Sequence, residues 1–187
     1  MSTGLIIALC IIGVLIISYI IMYNGLVSKK NQVEYADGAV NVQFKKRYDL
    51  VPNLVATVKQ YMQHEKGLLE QLTNLRTGNV NHWDAEQMNE WQHKYDAAMK
   101  SFNVTVENYP DLKAGEQFTH LQASLNECEA QLAAARRTYN AAVMEYNNAL
   151  EMFPSNIVAS MMKYKRKAMI EATEQERQTP NVSDLFA

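Results

Sequence analysis

Apolar and polar positions along the chain fall into two regimes. From Leu5 to Met22 the sequence reads LIIALCIIGVLIISYIIM, 18 residues without a charge, twelve of them Leu, Ile or Val. As a helix this run spans roughly 27 Å, close to the hydrocarbon thickness of a bilayer. Twelve such residues favour insertion by on the order of 4–7 kcal/mol, and no charged side chain opposes them. The run predicts an uncleaved transmembrane anchor over residues 1–23. A signal peptide would want a basic residue before the apolar run and a small-x-small site after it; Met1 to Gly4 and Tyr19 to Asn24 supply neither. Tyr19 and Tyr23 suit the interfacial end of such a span.

Past the anchor the apolar residues recur at steps of three and four. Leu54, Val58, Tyr61, Leu68, Leu72 and Leu75 trace one stripe, and Met88, Trp91, Tyr95, Ala98, Phe102 and Val106 a second. The third is the longest, running through Phe118, Leu121, Leu125, Cys128, Leu132, Ala135, Tyr139, Ala142, Tyr146, Leu150 and Phe153. Alternating three- and four-residue steps of this kind mark the seam of a coiled coil or a long bundle helix. No period-two strand pattern occurs. The predicted fold is all-α: an N-terminal transmembrane helix, then an antiparallel long-helix, four-helix bundle over 24–170 with a short fifth helix. Residues 171–187 read as a polar, largely extended tail.

Punctuation divides the bundle. Thr77-Gly78-Asn79 supplies a C-terminal glycine, and Asp84 with Gln87 resembles a capping box. Pro110 interrupts after the third helix, Gly115 suits the N-cap of the fourth, and Phe153-Pro154 ends it. The stretch NVQFKKRYDLVPNLVATVKQYMQHE (41–65) holds a further boundary with two readings. Asp49 can cap a helix whose first turn holds Pro52, and the residue before a proline disfavours the α region. A corner at Pro52 is preferred, because it yields helices of similar length. One long helix kinked at Pro52 is the competing reading.

Charge and composition narrow the classes. The first 28 residues are uncharged, so the net charge of −2 belongs to the rest of the chain, without the basic excess of a nucleic-acid binder. Lys29 and Lys30 follow the span while none precedes it, which by the positive-inside rule puts the bundle in the cytoplasm. Cys10 in the span and Cys128 on a helical stripe are too far separated in setting to form a disulfide.

The stretch VQFKKRYDLVPNLVATVKQYMQHE closely resembles the signature of the LemA family. So do YNGLVSKKNQVEYA before it and YPDLKAGEQFTHL, RRTYNAAVMEYNNAL and FPSNIVA after it. The resemblance runs from Tyr23 to about Val158, with an echo at Pro180, Val182 and Phe186; Gly78 to Val106 carries little of it. Gly115 departs from the family, which often has asparagine there, a change worth a few tenths of a kcal/mol at an N-cap. The resemblance implies an anchored antiparallel bundle in a bacterial cytoplasmic membrane and no established reaction. Relatives are linked to membrane organisation, and often accompany membrane-bound metalloproteases or TPM-domain proteins.

Candidate chemistry is sparse. A di-iron bundle needs two Glu-x-x-His pairs facing inward, and here Glu90 and His93 make one. His64 in HEKGL lacks the second histidine of a zinc-protease helix. His64, His82, His93 and His120 read as polar-face residues. No nucleophile elbow, phosphate loop or paired-cysteine zinc motif is present, so neither catalysis, cofactor nor metal is expected.

The polar motif residues Lys46, Arg47, Asp49, Pro52, Asn53 and Lys59, with Arg136, Tyr139, Asn140, Tyr146 and Asn147, are expected to set helix register, any exposed remainder serving as a partner surface. Buried asparagine is a known register device. The last helical stretch, NIVASMMKYKRKAM, places Ile157, Val158, Met161, Met162, Tyr164 and Met169 on one face and Lys163, Arg166 and Lys167 on the other, with Lys165 inside the apolar arc. It reads either as an interfacial helix on anionic lipid or as a lid sealing the bundle's end. Two functions follow: a self-associating membrane-anchored scaffold, or a regulatory adaptor of a membrane protease.

Overall fold

The computed structural model describes residues 3–76, 83 and 85–170. Among these there are six α-helices and no strand: α1 (Thr3–Lys59), α2 (Lys66–Asn74), α3 (Ala85–Val106), α4 (Pro110–Lys113), α5 (Glu116–Glu151) and α6 (Ser155–Met161). The glycine stop at 77–79, the Asp84 cap and the tail 171–187 lie outside the described residues.

Helix α1 is 57 residues long and changes character along its length. Through Met22 its large apolar side chains point outward on every side and are mostly exposed. From Leu26 only one stripe is buried, through Val33, Ala36, Val40, Phe44, Val51, Leu54 and Val58. An all-round apolar segment thus passes without a break into an ordinary amphipathic one.

Pro52 lies inside α1, not at a corner. An interior proline removes one hydrogen bond and costs about 3 kcal/mol. Val51, Leu54, Val58 and Met62 are nearly inaccessible, and each such burial contributes about 1.5–3 kcal/mol. Carrying the stripe through Pro52 therefore outweighs the lost bond. The corner comes later, at residues 60–65. There the amides of Tyr61 and Met62 both donate to the Val58 carbonyl (3.0 and 2.9 Å), and that of Glu65 to Met62 (3.0 Å). Met62, not Tyr61, carries the stripe to its end; Tyr61 is exposed.

The described residues fall into two compact units: 3–40 with 134–169, and those of 41–133 with Ile170. In the first, α1 and α5 run antiparallel. Lys29 pairs with Glu145 at 3.0 Å, while Leu26 shares a core cluster with Ala149 and Leu150. In the second, the 41–59 part of α1, α2, α3, α4 and the 116–133 part of α5 enclose an aromatic core that includes Phe44, Trp91, Phe102 and Phe118. All six apolar residues expected on the third helix are buried. Tyr109 precedes the one-turn α4, with Pro110 in its first turn. Gly115 then stands immediately before α5, where an added Cβ would meet the Leu112 carbonyl at 3.1 Å. Helix α5 stops at Glu151, so Phe153, expected at the end of its seam, stands exposed beyond it.

Candidate functional site

Arg47 occupies a position on the buried stripe of α1, between Phe44 and Val51. Its side chain is only 1% exposed, and a buried guanidinium is tolerable only with partners. It has them from two other helices. Arg47 donates to Gln92 Oε1 at 2.5 Å and lies 2.6 Å from Glu129 and 3.6 Å from Asp96. The guanidinium sits over the Tyr95 ring at 3.6 Å and near Trp91 at 5.5 Å. Planar delocalised charge suits arginine, and not lysine, for such stacking. Gln92 in turn donates to Asp96 at 2.7 Å, so the acceptors are held from behind.

An aromatic wall completes this nest. Trp91 stacks on Tyr95 with centroids 5.0 Å apart and meets Phe44 edge-on at 4.8 Å. Trp83 packs 5.5 Å from Phe44. Trp91 Nε1 donates to the Leu75 carbonyl at 2.8 Å, and the Tyr48 hydroxyl donates to that of Arg76. Those two bonds also satisfy carbonyls at the end of α2.

Burial and ion pairing shift the titratable groups in and around the nest. Burial, partly offset by Arg47, pushes the Tyr95 phenol up to about 12. Burial and then the Glu129 carboxylate raise the Cys128 thiol, the reverse of what an activated cysteine needs. Glu90 pairs with Lys94 at 2.7 Å, and that contact lowers its carboxyl. Among the described residues no three His, Cys, Asp or Glu side chains converge as a metal set.

The other motif residues divide between surface and core. Lys46, Asp49, Asn53 and Lys59 are exposed on α1 and Pro52 is half-buried within it; Asp49 pairs with Lys45 at 2.9 Å. Arg136, Tyr139, Tyr146 and Asn147 are buried in the first unit, and Asn140 is half-buried. Asn147 holds backbone and not another helix. Its amide donates to the Lys167 carbonyl at 2.9 Å and its carbonyl accepts from the Lys167 amide at 3.0 Å. The Tyr139 hydroxyl donates to the Ala168 carbonyl at 3.1 Å. Burial raises the phenols of both Tyr139 and Tyr146.

That clamp accounts for a correction in the C-terminal segment, which the apolar spacing extends as helix to Met169. Helix α6 ends at Met161. Lys163 adopts a left-handed conformation, φ 54°. Its amide bonds to Ser160 and that of Tyr164 to Ala159, the paired bonds of a Schellman stop. Lys165, Arg166 and Lys167 therefore lie on a strap along α5 and not on a continued helix, so neither the basic far face expected for Arg166 and Lys167 nor the apolar arc expected around Lys165 forms. Arg166 pairs with Glu151 at 2.5 Å. Val158 and Ala159 turn inward against Leu26, with Met162 and Tyr164 partly covered beside them.

Sequence reasoning missed Trp91, Gln92, Tyr95, Asp96 and Glu129 as the partners of Arg47. A signal existed: an arginine in phase with a buried stripe requires acceptors, although nothing local says which.

A helical bundle whose first helix begins as an all-apolar segment, with a buried arginine nest and a backbone clamp, defines the chain as an all-α protein. Residues 36–183 match the LemA family. The chain belongs to that family. It is similar to Protein LemA of Metamycoplasma hominis, 24% identical over 176 residues that cover 93% of this chain and 80% of that protein. A shorter likeness, 33% over 69 residues, joins it to Magnetosome protein MamQ 2 of Paramagnetospirillum magneticum, covering 37% of this chain and 25% of that protein. MamQ of Magnetospirillum gryphiswaldense is 29% identical over the same length.

Proposed function

We propose that this protein is a non-enzymatic, membrane-anchored scaffold of a bacterial envelope, which self-associates and presents its bundle on the cytoplasmic side. The observation that carries this reading is α1 itself. From Leu5 through Met22 it exposes apolar side chains in all directions, and only lipid suits such a surface over that length. Lys29 and Lys30 support the inward orientation. Membership of the LemA family supports an envelope role.

A contact role is supported by the surface of the first unit. Between α1 and α5 an open groove of about 710 Å³ is lined by small and amide side chains, among them Asn24, Ser28, Asn31, Thr138 and Ala141. Tyr35 stands at its edge with 82% of its surface bare. Small residues let a further helix approach closely.

Particle size after mild detergent extraction, with mass spectrometry of what co-purifies, tests the proposal. A homomeric particle of several copies is expected. A single copy bound to a protease would replace the scaffold with the adaptor, and a single copy alone would refute self-association.

A further inference from the structure

Helix α6 is apolar on two sides. One side, Val158 and Ala159, is covered by α1 at Met22 and Leu26. The other is bare: Phe153 is 79% exposed, Met161 68%, Met152 63% and Ile157 55%. Ile157 and Met161 are four apart on one face of α6, and Met152 and Phe153 form the elbow that joins it to α5. Four large apolar side chains together on a small unit are far more than scattered surface hydrophobics.

Antiparallel pairing of α1 and α5 sets the level of this elbow. Glu145 meets Lys29, and Met22, Ala149 and Leu150 pack against the one cluster that holds Leu26, so Met152 and Phe153 come level with the last turn of the apolar run that ends at Met22. Cations gather just beyond it, on the side away from the span and up to roughly 12 Å past Met22 along α1. Lys30 lies over the Tyr164 ring at 6.0 Å, Lys163 and Lys165 are exposed, and Arg166 pairs with Glu151 at the elbow. An apolar wedge, level with a membrane span and flanked by basic residues, has the composition of an interfacial lipid contact.

We propose that the α5–α6 elbow is a second membrane-contact site, in which Met152, Phe153, Ile157 and Met161 enter the headgroup–acyl boundary while Lys163, Lys165 and Arg166 meet anionic headgroups. This rests on α1 being the anchor. The occupant is lipid because the bare face is continuous in level with the lipid-facing run and its cations complement anionic headgroups. The anchor and the elbow together would fix the tilt of the first unit on the bilayer, which one span cannot do alone.

The test uses the unsubstituted full chain in vesicles containing a phospholipid with a photoactivatable acyl chain, the labelled peptides being mapped by mass spectrometry. Label is expected on Leu5–Met22 and on Met152–Met161, and not at Tyr35, roughly 20 Å beyond Met22 along α1. Label on the span without label at the elbow overturns the inference and leaves the anchor standing. No label on either overturns both. An elbow covered by protein, including a second copy, also gives no label there and refutes lipid as its occupant. Substituting Phe153→Asp with Ile157→Asp should lower elbow labelling at least about fivefold relative to the span. Undiminished labelling would refute the wedge. A probe on an anionic headgroup should label residues 163–167 about fivefold more than a zwitterionic one; equal labelling would refute the cationic part.

Discussion

Arg47 shows how much one residue can organise. Its charge is removed from water, so every interaction around it strengthens, and the loss of any partner would leave a costly remainder. Tyr95 is locked beneath it in neutral form, and that yields a pH prediction. The folded phenol titrates at about 12 and the ordinary value is 10, so the unfolded chain ionises first as pH rises. Stability held by neutral Tyr95 is fully present below pH 10 and is lost as pH rises through about 12. The loss amounts to roughly 3 kcal/mol. Urea unfolding followed by tryptophan fluorescence, with Trp91 against the Tyr95 ring as reporter, should show this alkaline decline. It should be absent from Tyr95→Phe relative to its own value near neutrality. Parallel curves for the two proteins would mean that the phenol is solvated.

Among the elements, α1 departs furthest from expectation. The signals for a corner at Pro52 are real local preferences, but they are overridden by a buried stripe that stays in phase across the proline. A helix maintained at that expense should welcome its removal. Pro52→Ala restores an amide donor for the Tyr48 carbonyl, offset in part by the greater freedom of the unfolded chain. The expected result is a gain of about 1–2 kcal/mol in unfolding free energy, with unchanged or slightly higher helicity by circular dichroism. A loss of stability would place Pro52 where a turn needs it. The true corner at 60–65 has neither glycine nor proline. Its trace in the sequence is a six-residue gap from Met62 to Leu68, which breaks the helical period. Helix α6 ends by a similar override: Lys163 takes a left-handed conformation that glycine usually occupies, and the Asn147 and Tyr139 bonds hold the strap beyond it against α5.

For the molecule as a whole, orientation is the open physical variable. Only the basic asymmetry of Lys29 and Lys30 directs it, and two charges are a small bias. With the bundle inside the cell, a protease added to intact spheroplasts should leave it whole and should digest it only after lysis. Cleavage before lysis would reverse the assignment. The elbow's lysines and arginine would add to the inward bias, since they share the level of Lys29 and Lys30.

Length, apolar run and period were enough to read an all-α chain with one membrane-length segment and long amphipathic helices. These depend on local spacing, and spacing is written directly in the order of residues. The family could be read too, because its motifs are ordered and unusual. Helix ends were less legible. Pro52, Met62 and Lys163 lie where a local preference competes with burial, and burial is settled by neighbours distant in the chain. The nest was legible in half: Arg47 on an apolar stripe announces a need, while Gln92, Asp96 and Glu129 meet it from helices 45 or more residues away. Asn147 was singled out by its place on a stripe, but its partner is the backbone of Lys167, which carries no side-chain signature. Tertiary packing decided these matters because a buried polar group is stable only with its partners in reach, and reach is a property of the folded chain.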